Sequence, residues 1–407
     1  MNSFHFIILK REEMNENNYL LPLYNRLDVS FVKGKNSILY DEQGRDYVDF
    51  SSGIGVNSLG YCDKKVVKTI TKQANQILHT SNIYHIKSQE KCAKKIVTLS
   101  TYDMQCYFCN SGAEANESAI KLARKYGNTA FCKTKYKIIT IKNSFHGRTI
   151  ATLKATAQEE KHKYFGPYPD GFVYADNINE AINLIDDDTV AVMLELIQGE
   201  GGIFMQDKEQ VKKLSEVLKK KKLLLIIDEV QTGVYRSGEF LMSHHYEIRP
   251  NIITLAKGLA TGVPIGLMMT DVRNVLKQGD HGSTFGGNHF ATTVSIKVLN
   301  ILEKYKNSGK LESNIKYFND YLDYFIERYP SLFLSKNGFG FMLGLKLKDE
   351  TKLNEIVKLS LKQGVLVLKS GKDIVRFLPP LNISKKEIEM GFKRFEKVVT
   401  KLKGKNI

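Results

Sequence analysis

The stretch Leu223-Leu224-Leu225-Ile226-Ile227 is apolar throughout, without the alternation of a half-exposed strand, and it runs directly into Asp228. Such a run suits a parallel strand covered by helices on both faces. An aspartate closing it is a poor core residue, but it fits the rim of an open α/β sheet, where ligands collect beyond the carboxyl ends of the strands. The segment Asn251-Ile252-Ile253-Thr254-Leu255-Ala256-Lys257 follows at the distance one βαβ crossover needs, so a second apolar strand would bring Lys257 to the same rim. There a carboxylate can keep a pyridine nitrogen protonated and an amine can form an imine with an aldehyde, a pairing that suggests pyridoxal phosphate chemistry. Taken singly, a strand-end aspartate is commonly a loop cap and a lysine is commonly solvated. The neighbouring motifs therefore decide.

Short apolar segments at Met104 to Phe108, Lys137 to Ile141, Ala191 to Leu196, Leu223 to Ile227 and Ile252 to Leu255 alternate with helical patterns. That alternation predicts an α/β fold with a mostly parallel, doubly wound sheet. Ahead of it, residues 31–50 read as a hairpin whose Asp41-Glu42-Gln43-Gly44 turn separates two alternating strands. A long helical pattern begins near Asn288, and the segment from Gly338 onward mixes strands and helices as a smaller α+β domain. The expected organisation is an N-terminal segment, 1–62, contributing to the small domain; a large cofactor-binding domain, 63–300; and the C-terminal small domain, 301–407. With only 8 prolines and no Pro-rich linker, the domains are expected to pack closely around a cleft.

The formal charge of +16 comes from 60 basic against 44 acidic residues. Clusters such as Lys219 to Lys222 fall in amphipathic helical patterns without interleaved aromatics, which argues against nucleic acid and leaves attraction of anionic substrates as the use of the excess. Cys106 and Cys109 form a Cys-x-x-Cys, yet no second pair or nearby histidine pair completes a zinc site, and on a strand the two point to opposite faces. No apolar run approaches the roughly 20 residues of a membrane span. Residues Met1 to Lys10 lack the basic region and cleavage site of a secretion signal, and Met14 is a candidate start; a cytoplasmic location is the expectation.

Further motifs follow the strands. Ser111, Gly112 and Ala113 open a helix after the strand ending at Phe108, and backbone amides at a helix N-terminus suit a phosphate. Phe145-His146-Gly147-Arg148 combines an aromatic that could stack on a ring with a guanidinium whose planar fork matches a carboxylate. Glu195-Leu-Ile-Gln198-Gly199-Glu200 ends another strand with acidic groups, Ser283 and Thr284 offer hydroxyls, and Arg376 lies in Asp373-Ile-Val-Arg376-Phe377. Each alone also reads as a turn, cap or surface ion pair.

Together, and in this order, these segments closely resemble the class III, fold type I pyridoxal-phosphate aminotransferases, from about Tyr24 to near the C-terminus. The resemblance runs through Asn110-Ser-Gly-Ala-Glu-Ala-Asn-Glu117, Phe145-His-Gly-Arg148, Gln198-Gly-Glu-Gly-Gly202, Asp228-Glu-Val-Gln-Thr-Gly233, Ala256-Lys-Gly-Leu259, Val263-Pro-Ile-Gly266 and Ser283-Thr-Phe-Gly-Gly-Asn288. Leu196 departs from the proline usual in its motif. The resemblance implies that Lys257 is the Schiff-base lysine, Asp228 the partner of the pyridine nitrogen and Gln231 that of the ring hydroxyl. It implies that Ser111, Gly112 and Ala113 hold the phosphate, with Thr284 joining from the neighbouring subunit of a homodimer, while Phe145 stacks on the ring and Val230 packs behind it. It assigns a substrate carboxylate to Arg148, places Ser283 at the substrate, and pairs Arg376 with Glu200 until a keto acid displaces the glutamate.

Gly53 stands where ornithine-specific members carry a tyrosine, which leaves room for an acylated α-amino group. The resemblance thus implies transfer of the terminal amino group of N-acetylornithine to 2-oxoglutarate, giving N-acetylglutamate 5-semialdehyde and glutamate, in arginine biosynthesis. Rival donors are succinylornithine, N-succinyl-diaminopimelate, ornithine and 4-aminobutyrate. A glutamate-1-semialdehyde aminomutase would share the lysine and aspartate but need no external keto acid, and a non-catalytic cofactor-binding protein would not need both.

Overall fold

The structure, a computed structural model, describes residues 19–403. The readings at Met1 to Lys10 and Met14 lie outside them. The chain divides into two compact units, Met1–Ser30 and Phe31–Ile407, and the elements below belong to the second.

Its largest sheet has seven strands in the spatial order Gln105–Cys109, Gly266–Thr270, Ile252–Leu255, Leu224–Asp228, Thr189–Leu194, Lys137–Ile141, Phe172–Ala175. The three central strands, Ile252–Leu255, Leu224–Asp228 and Thr189–Leu194, are buried at every position, as their unbroken apolar runs require. They pair in parallel, with Ile227 opposite Leu194 and Asp228 opposite Thr254. Helices Gly112–Thr129 and Lys208–Lys220 bury their apolar faces, the first through Ala115, Ala119 and Leu122 and the second through Val211, Leu214 and Leu218.

Two strands are illegible in the apolar pattern. Phe172–Ala175 is a short edge strand with only its ends buried. Gly266–Thr270 runs antiparallel to both neighbours and reads Gly-Leu-Met-Met-Thr, opening on a strand-poor glycine and lacking the β-branched and aromatic run of its neighbours. Its first residue has a tertiary reason to be glycine, because a Cβ there would stand 2.2 Å from the Ser111 carbonyl oxygen. The strand thus packs directly under the turn that opens helix Gly112–Thr129.

The expected N-terminal hairpin is a three-stranded meander, Phe31–Lys35, Ile38–Asp41 and Asp46–Asp49, with an additional turn at Asn36, where φ is 53°. A fourth strand, Val365–Leu366, joins it in parallel beside Asp46–Asp49. A separate antiparallel sheet orders Phe333–Phe339, Met342–Leu347, Ile374–Phe377 and Leu368–Ser370. Phe50 sits in an aromatic cluster, 5.0 Å from the ring of Phe318 and 5.1 Å from that of Phe392, so residues from both ends of the unit share one core. Among the described residues no helix is long and apolar enough to cross a membrane.

Candidate active site

Beyond the carboxyl ends of the central strands lies a cavity of about 440 Å³. Its wall includes Ser111, Gly112 and Ala113, then Phe145 and Arg148, and Asp228, Val230, Gln231 and Lys257. Nine residues singled out in the sequence thus meet at one place. Strand geometry explains the convergence, since parallel strands end on the same side and their following loops share a rim.

Asp228 is buried at the cavity floor and Glu229 is not part of the wall, although they are adjacent in the chain. Successive strand residues face opposite ways, so Glu229 instead accepts the amides of Met242 and Ser243 and caps the short helix Met242–His245. Four polar groups surround Asp228. Oδ2 accepts from Asn116 Nδ2 at 2.7 Å and lies 2.8 Å from His146 Nδ1; Oδ1 accepts from the Val230 amide at 3.0 Å and lies 3.4 Å from Thr254 Oγ1. Thr254 gives its one hydroxyl proton to Asn116 Oδ1 at 2.7 Å, closing a buried network.

The phosphate-suited end is built by helix Gly112–Thr129. Ser111 caps it, accepting the Glu114 amide at 3.2 Å, and the Glu114 carboxylate accepts the Asn110 amide at 2.7 Å. The first amides of a helix have no acceptor within it, and here they line the cavity. A Cβ on Gly112 would stand 2.7 Å from Val230 Cγ1, so the absence of a side chain lets this turn close over Val230.

Lys257 follows strand Ile252–Leu255 with φ at 39°, an uncommon conformation for a residue with a side chain. Burial pushes its ammonium below the usual lysine range and the nearby Arg376 charge adds to this, against the opposing effect of Glu200, Asp228 and Glu195. The direction favours a neutral, nucleophilic amine.

Arg376 and Glu200 stand behind the wall. Arg376 Nη1 donates to Glu200 Oε1 at 2.7 Å, to the Gly199 carbonyl at 2.9 Å and to Gln231 Oε1 at 3.4 Å, which ties the pair to the cavity through Gln231. Burial would raise the Glu200 carboxyl, but the Arg376 charge and hydrogen bond outweigh it and hold the group below its ordinary value. Ser283 does not line the cavity itself; its hydroxyl accepts from Nδ2 of Asn110, which does, at 3.1 Å. Thr284 is exposed on the same loop, and Gly53 is exposed with φ at 62°; neither lines the cavity.

Four residues given no role from the sequence belong to the site, Glu195 among them although its motif stands out for its acidic groups. Asn116 and His146 lay inside quoted motifs, and Thr254 is the one polar residue in an otherwise apolar strand. Glu195, directly after strand Thr189–Leu194, accepts the amides of Phe145 at 2.9 Å and Gly199 at 3.2 Å; burial pushes its carboxyl up to about 7, with the His146 contribution opposing.

The aminotransferase class-III family model matches residues 23–399. The chain belongs to this family. Acetylornithine aminotransferase from Wolinella succinogenes is 50% identical over 95% of this chain and 99% of its own length. Among solved structures, ornithine aminotransferase from Toxoplasma gondii ME49 superposes with a TM-score of 0.90 at 30% identity, covering 96% of this chain and 94% of that one. N-acetylornithine aminotransferase from Stenotrophomonas maltophilia K279a gives 0.81 at 30% identity, covering 94% and 98%. Class-III aminotransferases are fold type I enzymes that use pyridoxal 5′-phosphate. The class-III aminotransferase cavity fits that group chemically: it has open helix amides for a phosphate, an aromatic wall, a buried carboxylate and an amine of lowered basicity.

Proposed function

We propose that this aminotransferase moves the terminal amino group of N-acetylornithine to 2-oxoglutarate, giving N-acetylglutamate 5-semialdehyde and glutamate in arginine biosynthesis. The observation that carries the reaction type is the 2.7 Å ion pair between Arg376 and Glu200 behind a cavity on which Arg148 stands unpaired among the described residues. An amino donor with one carboxylate needs one arginine. A keto acid with two carboxylates needs a second, and Glu200 masks it until such a substrate competes for it. The 50% identity to an acetylornithine aminotransferase supports the acylated donor. Ornithine is the second reading, favoured by the TM-score of 0.90 to an ornithine aminotransferase.

In this reading Asp228 would hold the pyridine nitrogen, Phe145 and Val230 the two faces of the ring, Gln231 its hydroxyl, and Ser111, Gly112 and Ala113 the phosphate. Bound there, the cofactor supplies an aldehyde for the amine and an electron sink for the substrate's reacting carbon. Lys257 would hold the cofactor and would move a proton to and from that carbon as general base and acid. His146, Asn116 and Thr254 orient the Asp228 carboxylate. Arg148 holds the donor's carboxylate, with Ser283 nearby, and Gly53 leaves room for the acyl group.

The reading includes a homodimer in which Thr284 reaches the partner's phosphate site. Apolar side chains left open near that loop support it: Phe285 is 59% exposed, Ile83 86% and Tyr84 68%, and Asn82 ties their two loops by donating to the Ser283 carbonyl at 2.9 Å. It also includes the cofactor-binding domain at 63–300, with 1–62 and 301–407 forming the smaller one, and a cytoplasmic location, where five free thiols stay reduced.

The test mixes the purified yellow protein with N-acetylornithine, ornithine or 4-aminobutyrate, without keto acid, and follows loss of the cofactor's visible absorbance. Rapid bleaching by N-acetylornithine is expected. Preference for ornithine or 4-aminobutyrate would overturn the choice of substrate and leave the family intact.

A further inference from the structure

We propose that Lys161 is a second cation of the substrate-carboxylate site, acting beside Arg148 on the carboxylate of the amino donor; the proposal rests on reading the cavity as an aminotransferase site. The geometry centres on Phe145, which lines the cavity. Arg148 Cζ lies 5.6 Å and Lys161 Nζ 5.0 Å from the centroid of that one ring. Neither cation forms an ion pair among the described residues.

Lys161 ends the short 3-10 turn Glu159–Lys161 and is half-buried. Its ammonium donates to Gln158 Oε1, and Gln158 Nε2 donates in turn to the Ser144 carbonyl at 2.9 Å, immediately before Phe145. The lysine is therefore held against the Phe145 loop by a neutral partner that takes one of its three N–H donors, leaving two for an anion. Burial pushes its ammonium below the usual lysine range and the Arg148 charge adds to this, while Glu200 and Glu195 oppose. Two neighbouring cations over one ring, one of them half-buried, make an arrangement that an incoming carboxylate stabilises. The cation–π contact alone would not need a second charge beside Arg148.

The test compares N-acetylornithine with N-acetyl-1,4-diaminobutane, the same amine without the carboxylate, in the holoenzyme and in Lys161→Met and Lys161→Arg. For Lys161→Met the KM for N-acetylornithine rises roughly 10–100-fold, as loss of a charge-assisted hydrogen bond implies. The change falls on KM rather than kcat, the decarboxylated amine is unaffected, and Lys161→Arg restores most of the loss. An equal loss with both amines would show that Lys161 only supports Phe145, and unchanged KM for both would remove it from the site; either result overturns the proposal. If Lys161→Met does not fold, Lys161→Gln takes its place. If the wild type ignores N-acetylornithine, the proposed donor is wrong, and ornithine with 1,4-diaminobutane tests Lys161 on its own.

Discussion

His146 Nδ1 lies 2.8 Å from a carboxylate oxygen of Asp228, and both side chains are buried. The imidazole and Asn116 together fix one oxygen of the carboxylate, leaving its orientation little freedom. Replacing His146 by leucine leaves a buried acceptor short of one partner and should destabilise the fold by about 1–3 kcal/mol. Because Oδ2 of Asp228 would then be held by Asn116 alone, activity should fall at saturating cofactor as well. Urea unfolding and kcat measured on the same preparations check both effects; a loss of stability with kcat intact would reduce His146 to a packing residue.

Glu195 gives a pH signature. Its folded carboxyl is raised from an ordinary 4.5 to about 7, so the unfolded chain releases that proton first as pH increases. Its stabilising contribution is therefore complete below about 4.5 and disappears as pH rises through about 7. Glu195→Gln should flatten the decline in unfolding free energy across this window. Denaturant titrations at several pH values would show it, and parallel curves for the two proteins would refute the assignment.

Arg376→Met separates the two halves of the reaction. The variant should still be bleached by the amino donor, whereas the KM for 2-oxoglutarate rises about 100-fold, the scale of a lost partner in a desolvated charge pair. Stopped-flow half-reactions distinguish the two. Equal damage to both halves would mean that Arg376 only supports the wall through Gln231.

Gly53 has a backbone reason for being glycine, its φ of 62°, as well as the proposed steric one. Gly53→Ala should cost about 1–2 kcal/mol in stability from the left-handed conformation alone. Gly53→Tyr should show that cost and, in addition, lose activity with N-acetylornithine. The difference between the two variants measures the room for the acyl group; equal kinetics in both would leave only the backbone argument.

The sequence carried the floor and the anion-binding edge of the site well, because Asp228 and Ser111 to Ala113 lie where a strand meets a loop or helix. It carried Asn116, His146 and Thr254 poorly. Their importance comes from three separate elements converging on one carboxylate, and no local pattern encodes that. Strand Gly266–Thr270 escaped for a related reason: Gly266 answers to the Ser111 carbonyl packed against it rather than to strand propensity. Lys161 carries no local signal in the sequence, since only the fold brings it over Phe145.

The parallel pairing of Val365 with Val48 also has a consequence for biosynthesis. The meander Phe31–Asp49 leaves the ribosome early, but its fourth strand follows about 300 residues later, roughly 15–60 s at ordinary elongation rates. Throughout that interval Asp46–Asp49 presents an unpaired edge; Phe50 lacks the Phe318 ring for most of it and gains the Phe392 ring only afterwards. The nascent chain is thus exposed to aggregation for nearly the whole of its synthesis, and protection by a chaperone matters most before residue 366 emerges.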